Sequence, residues 1–146
     1  MRPLIAALVL VMGLVLPVWA QSASGVRTLA EQGDAKAQFV LGTMYRDGQG
    51  VGKDLTETLK WWKKAAELGN VDAQFALGNI YSGGYGVTKD YVLSYMWFDI
   101  TATQTESPWL PPIARSNRDA LVTHMTDDEV ATAKQLAAEW IAKHEK

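Results

Sequence analysis

The sequence predicts an all-α protein, an α/α solenoid of helix pairs closed by a C-terminal capping helix pair. Three observations predict it. A stretch of 36 residues occurs twice in tandem, Ala30–Ala65 and Ala66–Thr101, which align without gaps and share 15 identities. Within each copy, two apolar periodicities of helical spacing flank a glycine-rich loop. Past the second copy, Thr126-Asp127-Asp128-Glu129 has the form of a capping box that opens a further amphipathic helix. A gapless internal repeat of this length marks stacked supersecondary units, none of which buries its apolar face alone.

The chain begins with Met1-Arg2-Pro3, an apolar run from Leu4 to Leu16 and then Val18-Trp19-Ala20. One basic residue, an apolar core and compact residues before a break describe a secretory signal peptide over residues 1–20, cleaved near Ala20. The run is shorter than the ~20 apolar residues of a spanning helix. The expected product is therefore periplasmic or secreted, with no stable membrane anchor after cleavage. The remaining 21–146 form the solenoid domain, with repeat 1 at about 30–65, repeat 2 at about 66–101, and a degenerate third repeat with capping helices at about 102–146. There is no Cys, which removes disulfides, thiolate metal sites and Cys nucleophiles. The formal net charge of −2 is mild, and no basic patch points to nucleic acid.

The elements follow in order. Gln21–Ser24 is expected to be a polar lead-in, and Val26–Gln32 a short helix that caps the stack as half a repeat. Gly33 and Gly69 end helices, since glycine tolerates the left-handed conformation there. Asp34 and Asn70 then cap the next ones. First helices are expected at about 35–45 and 71–81, with Ala37, Leu41, Met44 and Tyr45, and again Ala73, Leu77, Ile80 and Tyr81, on the core face. Gly42 and Gly78 sit inside these helices at the same phase, which implies a close helix–helix approach. Asp54 and Asp90 cap the second helices after the glycine loops, and Glu57 completes a pattern resembling a capping box with Asp54. In the second helix of the first copy, Leu55, Leu59, Trp62 and Ala66 form one stripe, and Trp61, Ala65 and Leu68 another. A helix apolar on two sides is sandwiched between neighbours. Trp61 and Trp97 are accordingly expected in the core between repeats. Ser107–Pro112 punctuates the chain. A helix is expected from about Ile113 to His124, with Ile113, Ala120 and Leu121 inward, and a last one to about His144, with Val130, Ala133, Ala137, Trp140 and Ile141 inward.

The motif carried by Leu41-Gly42, Tyr45, Gly48, Gly50-Val51, Asp54, Trp61, Lys64-Ala65-Ala66 and Gly69 resembles the Sel-one-like repeat, or SLR. This family is related to the tetratricopeptide repeat and builds α/α solenoids. The second copy departs from it at its end, with Thr101 where the pattern has Ala and Thr105 where it has Gly. The resemblance implies an adaptor or regulator that binds another envelope or periplasmic protein. It implies a concave surface formed by the first helices, which by position includes Lys36, Phe39, Thr43 and Arg46, then Asp72, Phe75, Asn79 and Ser82. Helical spacing supports this, because Lys36, Phe39, Thr43 and Arg46 share a face distinct from the core face. An alternative reading is a glycan-binding accessory of the envelope, with Tyr85 and Trp109 as stacking platforms. No constellation for catalysis or metal binding is visible, and the Gly-x-Gly loops lack a Walker lysine and a preceding strand. The expectation is a non-enzyme without cofactor or metal.

Overall fold

A computed structural model describes residues 18–104 and 107–145. The core of the expected signal peptide lies outside them, as does Thr105. Seven α-helices are described: α1 (Val18–Glu31), α2 (Ala35–Asp47), α3 (Leu55–Glu67), α4 (Val71–Gly83), α5 (Tyr91–Thr103), α6 (Leu110–Leu121) and α7 (Asp127–His144). A 3-10 turn over Val122–His124 follows α6. The described residues contain no strand. Helices α2 and α3 pair, α4 and α5 pair, and each pair packs on the next through α3 and α4.

The caps are made as the sequence predicts. Asp34 accepts from the Ala37 amide at 2.7 Å, and Asn70 from the Ala73 amide at 2.8 Å. Asp54 accepts from Glu57 N at 3.1 Å, and Asp90 from Leu93 N at 2.9 Å. Only half of the box expected at Asp54 forms. The Asp54 amide donates to the Tyr45 carbonyl instead, and the Glu57 carboxylate accepts from Lys60 Nζ and Trp61 Nε1. The bond from Asp54 N to Tyr45 O closes the glycine loop, and Asp90 N to Tyr81 O repeats it. Thr126 and Glu129 form the complete box at the start of α7.

The interior glycines mark the tightest approach within each pair. A Cβ on Gly42 would overlap the ring of Trp62, and one on Gly78 the ring of Phe98. Trp62 and Phe98 are themselves counterparts, 36 residues apart. Trp61 is buried with Ala30, Ala37 and Leu41, joining α3 to the preceding half-repeat. Trp97 is buried against the edge of Trp140, with ring centroids 6.0 Å apart. A polar fastener recurs as well. Buried Gln38 donates to Ala30 O at 3.1 Å, and buried Gln74 to Ala66 O at 3.3 Å, so each ties its first helix to the end of the helix before it.

Three expectations are corrected. The polar lead-in Gln21–Ser24 is helical, part of an α1 that begins at Val18. Ala23 is buried like Ala30, so compact residues supply the inward face where no large apolar residue signals it. Leu68 is exposed, because α3 stops at Glu67 and Leu68 is its C-cap. In α6 the inward residues are Pro111, Ala114 and Leu121, whereas Ile113 and Ala120 face solvent. Fully buried Ala114, not Ile113, takes the place of Leu77. The third unit thus lags the 36-residue period by one position. One residue rotates a helix by roughly 100°, which carries Ile113 off the core face. Helix α7 packs mainly on α5, with Ala133 and Ala137 fully buried.

Candidate interaction groove

The first helices of the two copies, α2 and α4, enclose a groove of about 370 Å³. Phe39 and Arg46 come from α2, Leu55 and Trp62 from α3, and Asp72, Phe75, Ala76, Asn79 and Ile80 from α4, while Tyr85 closes one side from the second glycine loop. Its floor is apolar. Trp62 is 2% exposed, and its Nε1–H donates to Phe39 O at 3.2 Å and Thr43 Oγ1 at 3.3 Å. Those bonds fix the indole plane, and Phe39 stacks on it at 6.0 Å. Phe75 packs on Phe98 at 5.7 Å. Both phenyl rings stay half-buried, each with one side on a core aromatic. The Tyr85 ring folds against Gly83 and remains exposed, and Leu55 lies against Gly86.

One charge is built into the rim. The Arg46 guanidinium carbon lies 5.5 Å from the Trp62 ring centroid. Its Nε and Nη2 donate to the two carboxylate oxygens of Asp47 at 2.7 and 3.0 Å. The hydrogen bond to Asp47 raises the Arg46 pKa further above its ordinary value, and the same bond holds the Asp47 carboxyl below the ordinary carboxylate range. The Lys53 charge adds to the lowering at Asp47. Two of the five guanidinium N–H groups are engaged by Asp47.

The Sel1 repeat family matches residues 35–70 and 71–105. The fold is similar to that of a protective antigen of uropathogenic Escherichia coli strains displaying an SLR fold, at 34% identity and a TM-score of 0.76 over 86% of this chain and 26% of that one. The chain is a Sel1-like repeat protein. A Sel1 repeat protein from Oxalobacter formigenes is also similar, at 26% identity and a TM-score of 0.64 over 85% of this chain and 50% of that one. This Sel1-like chain therefore spans about a quarter of the first structure's length and half of the second's. No curated protein matches the sequence. Sel1 repeat proteins generally mediate protein–protein interaction.

Of the residues read from the sequence as a concave surface, Phe39, Arg46, Asp72, Phe75 and Asn79 line the groove of this Sel1-like fold. Tyr85, read as a separate surface, lines it with them. Thr43 lies beneath, where its hydroxyl donates to Phe39 O at 3.0 Å while accepting from Trp62. Lys36 is exposed on the first turn of α2, and Ser82 donates to Asn79 O at 3.0 Å; neither is part of the lining. Trp109, 77% exposed, stands apart at the N-cap of α6, although its neighbours Ser107 and Pro108 approach Asp72. The sequence reading missed Leu55, Trp62 and Ile80 as site residues. Their stripes read as core; Trp62 and Ile80 are buried core residues that also line the groove, and Leu55 packs partly buried against that core. A second depression of about 330 Å³ lies where α7 meets the end of α3. There Trp140 Nε1 donates to Glu67 Oε1 at 3.2 Å, and His144 Nε2 lies 3.1 Å from Glu67 Oε2. Among the described residues, no group of three or more His, Asp or Glu could hold a metal ion, and no helix is long and apolar enough to cross a membrane.

Proposed function

We propose that this chain is an adaptor or regulator of the periplasm or cell envelope that receives a segment of a partner protein in the α2–α4 groove. The observation that carries this reading is the half-exposed pair Phe39 and Phe75 over a rigid aromatic floor, on the face shared by the first helices. Exposed apolar surface in a concave setting is what binding energy is drawn from, because buried anchors dominate recognition. The general role of Sel1 repeats in protein interaction supports it. The apolar leader read over residues 1–20 supports the exported location.

The test is crosslinked capture from periplasmic extract of the native host, with the native form compared against a Phe39→Ala/Phe75→Ala pair whose helix content and melting have been checked. A specific protein captured by the native form and reduced about tenfold or more in the pair is expected, as for loss of two anchors. A protein captured equally by both removes the groove from the interface. The exposure of Trp109 and Tyr85, 77% and 75%, favours a second reading, that of a glycan-binding accessory protein. Recovery of cell-wall fragments alone would select it.

A further inference from the structure

Resting on the groove reading, the geometry points to the chemistry of the segment bound: an extended stretch with the pattern acidic-x-aromatic-x-basic. The two charged lining residues are Arg46 and Asp72. Asp72 is in the first turn of α4 and Arg46 in the last turn of α2. As first helices of tandem copies, α2 and α4 run in the same direction. Asp72 therefore stands level with Lys36, its counterpart one repeat earlier and ten residues before Arg46. At about 1.5 Å per helical residue, the backbone positions that carry the two charges are about 15 Å apart along the helix direction, and the Arg46 side chain reaches back to the Trp62 ring. The rest of the lining includes Phe39, Trp62, Phe75, Ile80 and Leu55, with the Asn79 amide as a neutral polar group.

An extended peptide rises about 3.3 Å per residue and sends alternate side chains to one face. Three side chains spaced by two residues then cover about 13 Å on that face, within the spacing of the two positions. The central one faces the rings and the outer two face the charges. Arg46 suits a carboxylate, because Asp47 occupies two of its donors and leaves the rest to a ligand. Lys53, whose charge is felt at Asp47, keeps that end net positive. At the other end Asp72 lines the groove while Lys36 does not, so the ligand there meets an acid. An uncharged sugar would leave both ends unused.

The probes are three capped peptides, Glu-Ser-Phe-Ser-Lys, Gln-Ser-Phe-Ser-Gln and Glu-Ser-Ala-Ser-Lys, titrated into the full mature protein and followed by NMR shifts and calorimetry at low and high salt. The first is expected to bind about tenfold tighter than either of the others and to weaken with salt. Arg46→Glu should weaken it by a further factor of about ten, and the reversal Arg46→Glu/Asp72→Lys should restore it, since the peptide can lie the other way round. Equal binding of the first two peptides, still lost in Phe39→Ala, would overturn the charge pattern and leave the groove reading intact. Failure of the double reversal to rescue, in a variant with native helix content, would also overturn it. If no peptide shifts the Phe39 and Phe75 resonances, the pattern falls, and the capture experiment decides the groove separately.

Discussion

Gly42 and Gly78 sit inside helices, where glycine costs about 1 kcal/mol relative to alanine. The cost is offset by what replaces the missing Cβ, the rings of Trp62 and Phe98. Neither ring can yield easily. Trp62 is tethered through Nε1, and Phe98 is 1% exposed. Gly42→Ala and Gly78→Ala are therefore expected to destabilise by about 1–2 kcal/mol in urea unfolding, an overpacking strain that exceeds the propensity gained. Gly25, inside α1, has open space where its Cβ would be. Gly25→Ala should instead stabilise, by up to about 1 kcal/mol. The same substitution with opposite signs separates packing from propensity; a stabilised Gly42→Ala would mean that the pair approaches less closely than the structure shows.

At the scale of elements, the helices of the two copies were legible because each boundary is written in local chemistry: a glycine, then a capping Asp or Asn, then an apolar period. The start of α1 was not, since its inward face is made of alanine, which carries no hydrophobic signal of its own. The face of α6 was misjudged for a different reason. A period of 36 residues projected past Thr101 assigns Ile113 to the core, and the intervening turn shifts the register by one. Side-chain size then favours the wrong residue, because the buried position holds the smaller Ala114. The register has a direct test. Ile113→Ser should change stability by less than about 0.5 kcal/mol, as exposed substitutions do. Leu121→Ala, at a site 7% exposed, should cost about 2–4 kcal/mol. A large loss at Ile113 would restore the 36-residue register.

In the whole molecule, burial depends on place in the stack as much as on sequence. Tyr45 and Tyr81 are counterparts, yet Tyr81 is 6% exposed whereas Tyr45 remains half-exposed, because the first copy is preceded by the single helix α1 and the second by a whole helix pair. The groove is a property of the same scale. Its aromatic rim could be read from the face that Phe39 and Phe75 occupy in their helices. Its floor could not, since Trp62 and Ile80 come from different copies and meet only when these stack. Stability in such an array is close to a sum of nearest-neighbour terms, so damage at one end should stay local. Trp140 is the residue to use: it meets Trp97 edge-on, stacks with His144 at a centroid distance of 3.8 Å and donates to Glu67. Trp140→Ala removes all three contacts at the half-buried seam of α7 and should cost about 2–3 kcal/mol, below the value for a fully buried Trp. In hydrogen exchange, protection should fall in α7 and in α5 beneath it, while α1 and α2 keep theirs. A uniform fall across all seven helices would instead mean that the stack opens as one cooperative unit, and the C-terminal helix would then be a condition of folding rather than a local cap.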